Sequence, residues 1–271
     1  MSTLTTEQMA DVTRHNRELW NRCAPTYSEA FGPLTGAAAD VLLDLAGVGN
    51  DTDLLDIGTG PGTLIRPALE RGATVSAVDL APDMIQQART CYPGLDIRVA
   101  DGVALPHADQ SFDAVTLGFC LHHTADPVAV LNEARRVLRP GGRIALTVWA
   151  PPDQLQAFGV AFTAIGESVA LDELAVPQAP AVATSPDEYR QLLTDNGFVH
   201  ATARILPLTW DVTDGNKIFD GFDRFLDLSN QPATTRTRIQ ERLDQIVGEL
   251  RQADGLTRLA NPAIVASAHH A

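Results

Sequence analysis

The chain has 271 residues, 45% of them hydrophobic, and carries 34 acidic against 20 basic side chains for a formal net charge of −14. That is enough apolar chain to bury one large domain, or one domain with a cap; the acidic balance argues against nonspecific electrostatic binding to a nucleic-acid backbone and favours a small-molecule partner. Three cysteines, Cys23, Cys91 and Cys120, with no paired CxxC, give no disulfide framework and fit free thiols in a reducing cytoplasm.

The opening MSTLTTEQMADVTRHN has no basic segment followed by an apolar core, so it does not read as a secretory signal. No stretch approaches eighteen uninterrupted apolar residues, and no membrane span is expected. The first ten residues are polar and are predicted to fray. Helix is predicted over 11–31, with Trp20, Tyr27 and Phe31 as its large apolar groups, and again over 34–47. DLLDI (53–57) is a short buried strand, followed by helix from 62 to 71. ATVSAVD (73–79) is the next strand, and Pro82 suits the first turn of a helix over 82–90. LDIRVA (95–100) and SFDAVTLGF (111–119) are further strands; helix over 127–138 is stopped by RPGG, and RIALTVWA (143–150) is a fifth strand. The strands are apolar on both faces and alternate with helices, the pattern of a parallel sheet covered on both sides. Ligands in such folds sit beyond the carboxyl ends of the strands where strand order reverses, which predicts a rim built from 56–62, 79–80, 101–102 and 119–123.

After residue 150 the pattern loosens. A mostly apolar helix is predicted over 153–171, then a proline- and alanine-rich loop over 176–186. Ser185, Pro186, Asp187 and Glu188 form a helix start before YRQLLTDNGF (189–198). Strand follows at 199–210, helices near 215–229 and 234–253, and a last strand at 262–268. The terminal AHHA is expected to be a loose tail rather than a metal site. Residues 150–185 and 210–255 are the two candidates for a cap.

The stretch LLDIGTGPGTLI (54–65) raises the question of its ligand. Gly58, Gly60 and Gly62 let backbone approach a ligand closely, and NAD, FAD and S-adenosylmethionine all suit a site of this general kind. Their spacing shortens the last interval of the dinucleotide pattern G-x-G-x-x-G by one residue, with Thr63 where the third glycine would stand. Asp56 just before the turn would repel a pyrophosphate and attract a cationic amino group. Asp79 ends the second strand and can accept two hydrogen bonds from a ribose diol; Asp101, followed by Gly102, ends the third and can accept from an adenine amine.

These motifs, in this order, resemble the class I S-adenosylmethionine-dependent methyltransferases, especially the branch of ubiquinone/menaquinone-biosynthesis and natural-product methyltransferases. LLDIGTGPG (54–62), VDLAPDMIQQAR (78–89), VADGVALPHADQSFDAVTLGFCLHH (99–123) and EARRVLRPGGRIAL (133–146) carry the likeness, strongest over 50–150. The resemblance implies a Rossmann-like α/β fold: a seven-stranded, mostly parallel sheet with an antiparallel last strand, 199–210 and 262–268 supplying the final two, and a helical cap. It divides the chain into a cofactor-covering segment (1–33), a cofactor-binding core (34–150) and a remainder with a substrate cap (151–271). It implies S-adenosyl-L-methionine as cofactor, with backbone at Gly58 and Gly60 and the side chain of Asp56 at its methionine part, Asp79 on ribose, and Leu80 and Met84 beside adenine. Asp101 and Gly102 complete the adenine loop, Phe119 stands beside the sulfonium, and Tyr27 reaches the methionine carboxylate or the substrate.

His122 and His123 lie just beyond Phe119, and a histidine can shuttle a proton near neutral pH, so either is a candidate base. No compact carboxylate set specifies a metal. The aromatic-rich second half, with IFDGFDRFLDL (218–228), points to a small, largely apolar acceptor methylated on oxygen or carbon and enclosed by 150–185 and 210–230. A non-methylating cyclase or scaffold on the same fold, and an NAD-dependent oxidoreductase, are the rival readings.

Overall fold

The computed structural model describes residues 4–171, 174 and 183–271. Among these, nine strands occur: β1 (Asp53–Ile57), β2 (Thr74–Asp79), β3 (Asp96–Val99), β4 (Phe112–Gly118), β5 (Leu138–Trp149), β6 (Phe198–Leu206), β7 (Thr209–Val212), β8 (Thr257–Ala260) and β9 (Ala263–His270). Ten α-helices accompany them among the described residues: α1 (Thr6–Ala30), α2 (Gly32–Gly36), α3 (Ala39–Leu45), α4 (Ile65–Glu70), α5 (Pro82–Cys91), α6 (Pro127–Val137), α7 (Gln156–Gly166), α8 (Pro186–Asp195), α9 (Asn216–Phe225) and α10 (Ala233–Glu249).

The main sheet runs β3-β2-β1-β4-β5-β9-β6. Strands β1 to β5 pair in parallel, with Leu54 opposite Val75 on β2 and Ala114 on β4. β9 enters antiparallel between β5 and β6, so the expected seven-stranded sheet with an antiparallel last strand is present. Adjacent residues of a strand face opposite sides, and β1 shows why its sequence is apolar throughout. Leu54 joins one core with Leu42, Ile65 and Ile85, whereas Leu55 and Ile57 join another with Val130, Leu131 and Leu193. The strand order reverses between β1 and β4, because the chain moves outward through β2 and β3 before returning. That reversal opens a crevice at the carboxyl ends of the strands.

Several boundaries differ from the sequence-based expectation. The first ten residues do not fray as a whole: α1 begins at Thr6, where the Thr5 hydroxyl and the Gln8 side chain form a reciprocal capping box. The helix expected over 34–47 is divided into α2 and α3. The one expected from 62 starts at Ile65, since Gly62 at φ 94° is still part of the turn. The strand expected over 199–210 stops at Leu206; Pro207 has no N–H to continue a ladder, and Thr209–Val212 pairs instead with β8 in a separate two-stranded sheet. The terminal histidines are not a loose tail. His269 and His270 belong to β9, opposite Arg143 and Phe198, and His270 Nδ1 lies 3.0 Å from the Leu138 carbonyl oxygen. The Ser185 helix start is as expected, with Ser185 and Glu188 forming a second capping box. Most of the proline-rich loop over 176–186 lies outside the described residues.

Beyond the sheet, α7, α9 and α10 pack on one another, α7 meets β8, and α9 lies against α1. Phe222 is fully buried at the centre, with the rings of Phe31, Phe158 and Phe162 at 5.8, 5.2 and 5.8 Å. Gly221 is required beside it, because a Cβ there would stand 2.9 Å from Phe31. Truncating such a ring leaves a cavity that its neighbours only partly close. Phe222→Ala is expected to lower unfolding free energy by about 3–5 kcal/mol, and Phe222→Leu by less, as measured by urea denaturation.

Candidate functional site

A cavity of about 360 Å³ occupies the crevice at the carboxyl ends of β1, β2 and β4. Its floor is the glycine turn after β1, and the glycines there do different work. Gly58, at φ 72°, leaves no room for a side chain: a Cβ would fall 2.3 Å from Cys120 Sγ. Gly60, at φ 56°, has nothing within 4 Å of a would-be Cβ and presents bare backbone to the cavity. The turn is tied to β2 by the Gly58 and Thr59 N–H groups, which donate to the Val78 carbonyl at 2.8 and 3.0 Å.

Asp79, at the end of β2, lines the cavity beside that turn. Its Oδ2 accepts from Gly60 N and its Oδ1 from Ala81 N, both at 2.8 Å. These bonds fix the carboxylate in place and leave each oxygen a lone pair for a further donor. Burial holds the carboxyl above its ordinary range, against the pull of the backbone donors. Asp101, Gly102, Leu80 and Met84 line the same cavity, as expected. Among the described residues Asp79, Asp101 and Asp126 are its carboxylates, and no lysine or arginine lines it.

Asp56 does not face this main cavity. It lines an adjoining recess of about 30 Å³ with Tyr27, Thr59, Thr63 and Thr147. The Thr116 hydroxyl donates to Asp56 Oδ1 at 2.8 Å, yet burial pushes the carboxyl up to about 6. Tyr27 and Phe119 line both spaces, and burial pushes the Tyr27 phenol up to about 12, so it stays neutral. In the same recess the Thr59 hydroxyl is buried beside Asp56 and, with Thr116, opposes the upward push of burial on that carboxyl.

Phe119 adopts a left-handed φ of 53°, which costs a bulky L-residue roughly 1–2 kcal/mol. Its ring stacks on Trp149, 4.1 Å between centroids. The two histidines that follow are separated in role by position. His123 lines the cavity, its ring 4.9 Å from that of Trp20, and burial pushes it down to about 4. His122 is not a lining residue; its ring lies 4.0 Å from that of His123, and both its nitrogens are buried without a partner among the described residues. Burial first, then the neighbouring His123, holds His122 well below its ordinary range.

The sequence analysis expected a covering segment over 1–33 but named only Tyr27 in it as a contact, and the other residues of the outer wall were missed. Met9, Thr13, Asn16 and Trp20 of α1 close over the cavity, and the Asn16 side-chain amide donates to the His123 carbonyl. The spacing of these four residues, one helical face, was the available signal. Among the described residues of 150–271, none lines either cavity. The aromatic side chains expected to enclose an acceptor there pack on one another around Phe222. Among the described residues no group of three His, Cys, Asp or Glu side chains is arranged to hold a metal ion, and no helix is long and apolar enough to cross a membrane.

Comparison with known proteins matches residues 55–146 to the family described as Methyltransferase domain. The demethylmenaquinone methyltransferase of Beutenbergia cavernae is 33% identical over 155 residues, 55% of this chain and 60% of that protein. That of Thermus thermophilus is 37% identical over 155 residues, 53% of this chain and 70% of that protein. The chain thus spans less than two thirds of the Beutenbergia relative. Among solved structures, a proposed methyltransferase from an antibiotic-biosynthesis pathway of Anabaena variabilis shares the fold with a TM-score of 0.61 at 18% identity, covering 85% of this chain and 96% of that one.

The buried Asp56 carboxyl has a consequence for stability. Its proton is held more tightly folded, at about 6, than at the ordinary value of 3.8, so the folded state binds more protons between those limits. Stability therefore falls as pH rises through that window, by about 3 kcal/mol in all. Asp56→Asn keeps an acceptor for Thr116 and has no proton to lose. Urea unfolding from pH 4 to pH 7 should show the variant gaining on the native protein across the window, with no further gain above it.

Proposed function

Because the chain belongs to the class I S-adenosylmethionine-dependent methyltransferases, in the branch with the ubiquinone and menaquinone enzymes, we propose that it binds S-adenosylmethionine in the crevice and transfers the methyl group to an oxygen or carbon atom of a small, largely apolar metabolite. The observation that carries this reading is the charge of the site. Among the described residues three carboxylates and no lysine or arginine line the cavity, and a fourth carboxylate lies in the recess. Such a lining repels the pyrophosphate of NAD or FAD and attracts a ligand that bears positive charge.

The residues present fit the cofactor. Asp79 has lone pairs to spare for a ribose diol, and Asp101 stands where it can accept from the adenine amine, with Leu80 and Met84 as apolar neighbours. Gly60 offers a side where backbone alone meets the ligand. The methionine end belongs at Gly58 and Tyr27, with Asp56 and the Thr59 hydroxyl in the recess behind them. When bound, the cofactor supplies a methyl group made electrophilic by its positively charged sulfur. The chain's own contribution is to hold the acceptor in line and exclude water, through Phe119, Trp20 and Tyr27 around the expected methyl position. Proximity and orientation supply the larger share of the rate. His123, neutral at pH 7, faces the cavity and takes the acceptor's proton on a ring nitrogen; His122 packs behind it.

Calorimetry tests the binding step. S-adenosylhomocysteine should bind, with Asp79→Ala weakening it at least about tenfold, the worth of a lost charge-assisted hydrogen bond. Preferential binding of NAD that is indifferent to Asp79→Ala overturns the assignment. Mass spectrometry with labelled cofactor and a panel of apolar phenols and enols tests the chemistry. Methylated product should appear one for one with demethylated cofactor, and His123→Ala should slow turnover by roughly a hundredfold at unchanged cofactor affinity. A product made without consumption of cofactor would favour the cyclase reading, and methyl incorporation confined to RNA would sink the small-molecule acceptor.

A further inference from the structure

The bulky Phe119 stands in a left-handed conformation, φ 53°, at the point where β4 leaves the sheet. L-residues avoid that region because Cβ meets the following carbonyl oxygen, and such outliers persist only where their surroundings over-determine them. Here the Phe119 N–H is held by one residue of the neighbouring strand. Thr147 is fully buried in β5, in register with Gly118. Its carbonyl oxygen and its hydroxyl oxygen both accept from the Phe119 N–H, at 2.9 and 3.1 Å.

A backbone carbonyl would be available from any residue at that position. The second acceptor is not: it needs a hydroxyl at Cβ, and valine, the threonine isostere favoured in buried strands, lacks it. The turn so held lays the Phe119 ring on Trp149 and brings Cys120 against Gly58. Phe119 walls both the main cavity and the recess, whereas Thr147 reaches only the recess. Thr147 therefore acts on the main cavity through Phe119.

We propose that Thr147 is a positioning residue of the methyl-transfer site, its hydroxyl holding Phe119 in the left-handed turn that sets the wall around the reacting groups. The functional half of this rests on the methyl-transfer reading; the structural half does not.

The test compares Thr147→Val with Thr147→Ser in the full chain. Amide hydrogen exchange at Phe119, followed by NMR without ligand, should speed up about fivefold in Thr147→Val, which keeps the carbonyl acceptor and loses the hydroxyl one, and stay within about twofold of the native rate in Thr147→Ser. In a Phe119→Gly background, where glycine takes the conformation unaided, the effect of Thr147→Val on exchange at position 119 should shrink. In turnover, Thr147→Val should lower kcat about tenfold while the cofactor KM moves less than about threefold, and Thr147→Ser should restore kcat. Thr147→Ala replaces the valine variant if the latter does not fold. Unchanged Phe119 protection in Thr147→Val, or equal losses in the valine and serine variants, overturns the proposal. A native protein that consumes no cofactor with any acceptor defeats the methyl-transfer reading alone, and the exchange series still decides whether Thr147 holds Phe119.

Discussion

The close approach of the Gly58 turn to Cys120 is the constraint on which the rest of the site depends. Strand order reverses between β1 and β4, and at that point the chain leaving β1 and the chain leaving β4 must diverge around a crevice while touching at its base. They touch at Gly58, where any side chain would collide with Cys120. The same turn is pinned from the other side by Val78 of β2 and by the Gly60 donation to Asp79. Backbone of β1, carboxylate of β2 and the loop after β4 are thereby brought to one small volume, though they are far apart in sequence. A crevice floored by glycine backbone rather than side chains admits a ligand close to the sheet.

The site is held at some cost to the fold. Asp56 and Asp79 are buried carboxyls whose protons are retained above the ordinary range. Phe119 keeps a conformation that L-residues avoid. Each departs from what stability alone would select, and each is supported locally: Asp56 by Thr116, Asp79 by two backbone donors, Phe119 by Thr147. Strained or desolvated groups that the surrounding structure over-determines are the common signature of functional sites. Burial opposes the charged forms of both histidines in the same way, so the neutral imidazole of His123 is the species that the cavity meets.

The outer wall is made by helices that the core motifs do not mention. α1 lies across the crevice, its C-terminal half tied to α5 and α9 through Gln87, which donates to the Ala24 carbonyl, and Arg22, which donates to the Arg224 carbonyl. Its middle meets the loop after β4 through Asn16 and Trp20. The aromatic side chains of α7 and α9 fill their own interior around Phe222. An acceptor-sized space lined by those helices is therefore not a feature of either cavity, and the aromatic richness of the second half is spent largely on packing.

What the sequence determined by itself was local. The five parallel strands, the spacing of Gly58, Gly60 and Gly62, the carboxylates Asp56, Asp79 and Asp101 at strand ends, and the Ser185 helix start all depend on a few neighbouring residues, so their period and order are written in the chain. Where the local signal was weaker, boundaries slipped: the capping box at Thr5 sat in a polar segment that looked frayed, and Pro207 broke a strand that periodicity alone carried on to Trp210. Tertiary structure alone decided the rest. It turned one face of α1 onto the crevice, put Asp56 in a recess behind the cavity rather than in its wall, chose His123 over His122 to face the cavity, and set Thr147 beneath Phe119. These outcomes follow from contacts between segments tens to more than a hundred residues apart, and no local period or propensity encodes which side chain such a contact will turn inward.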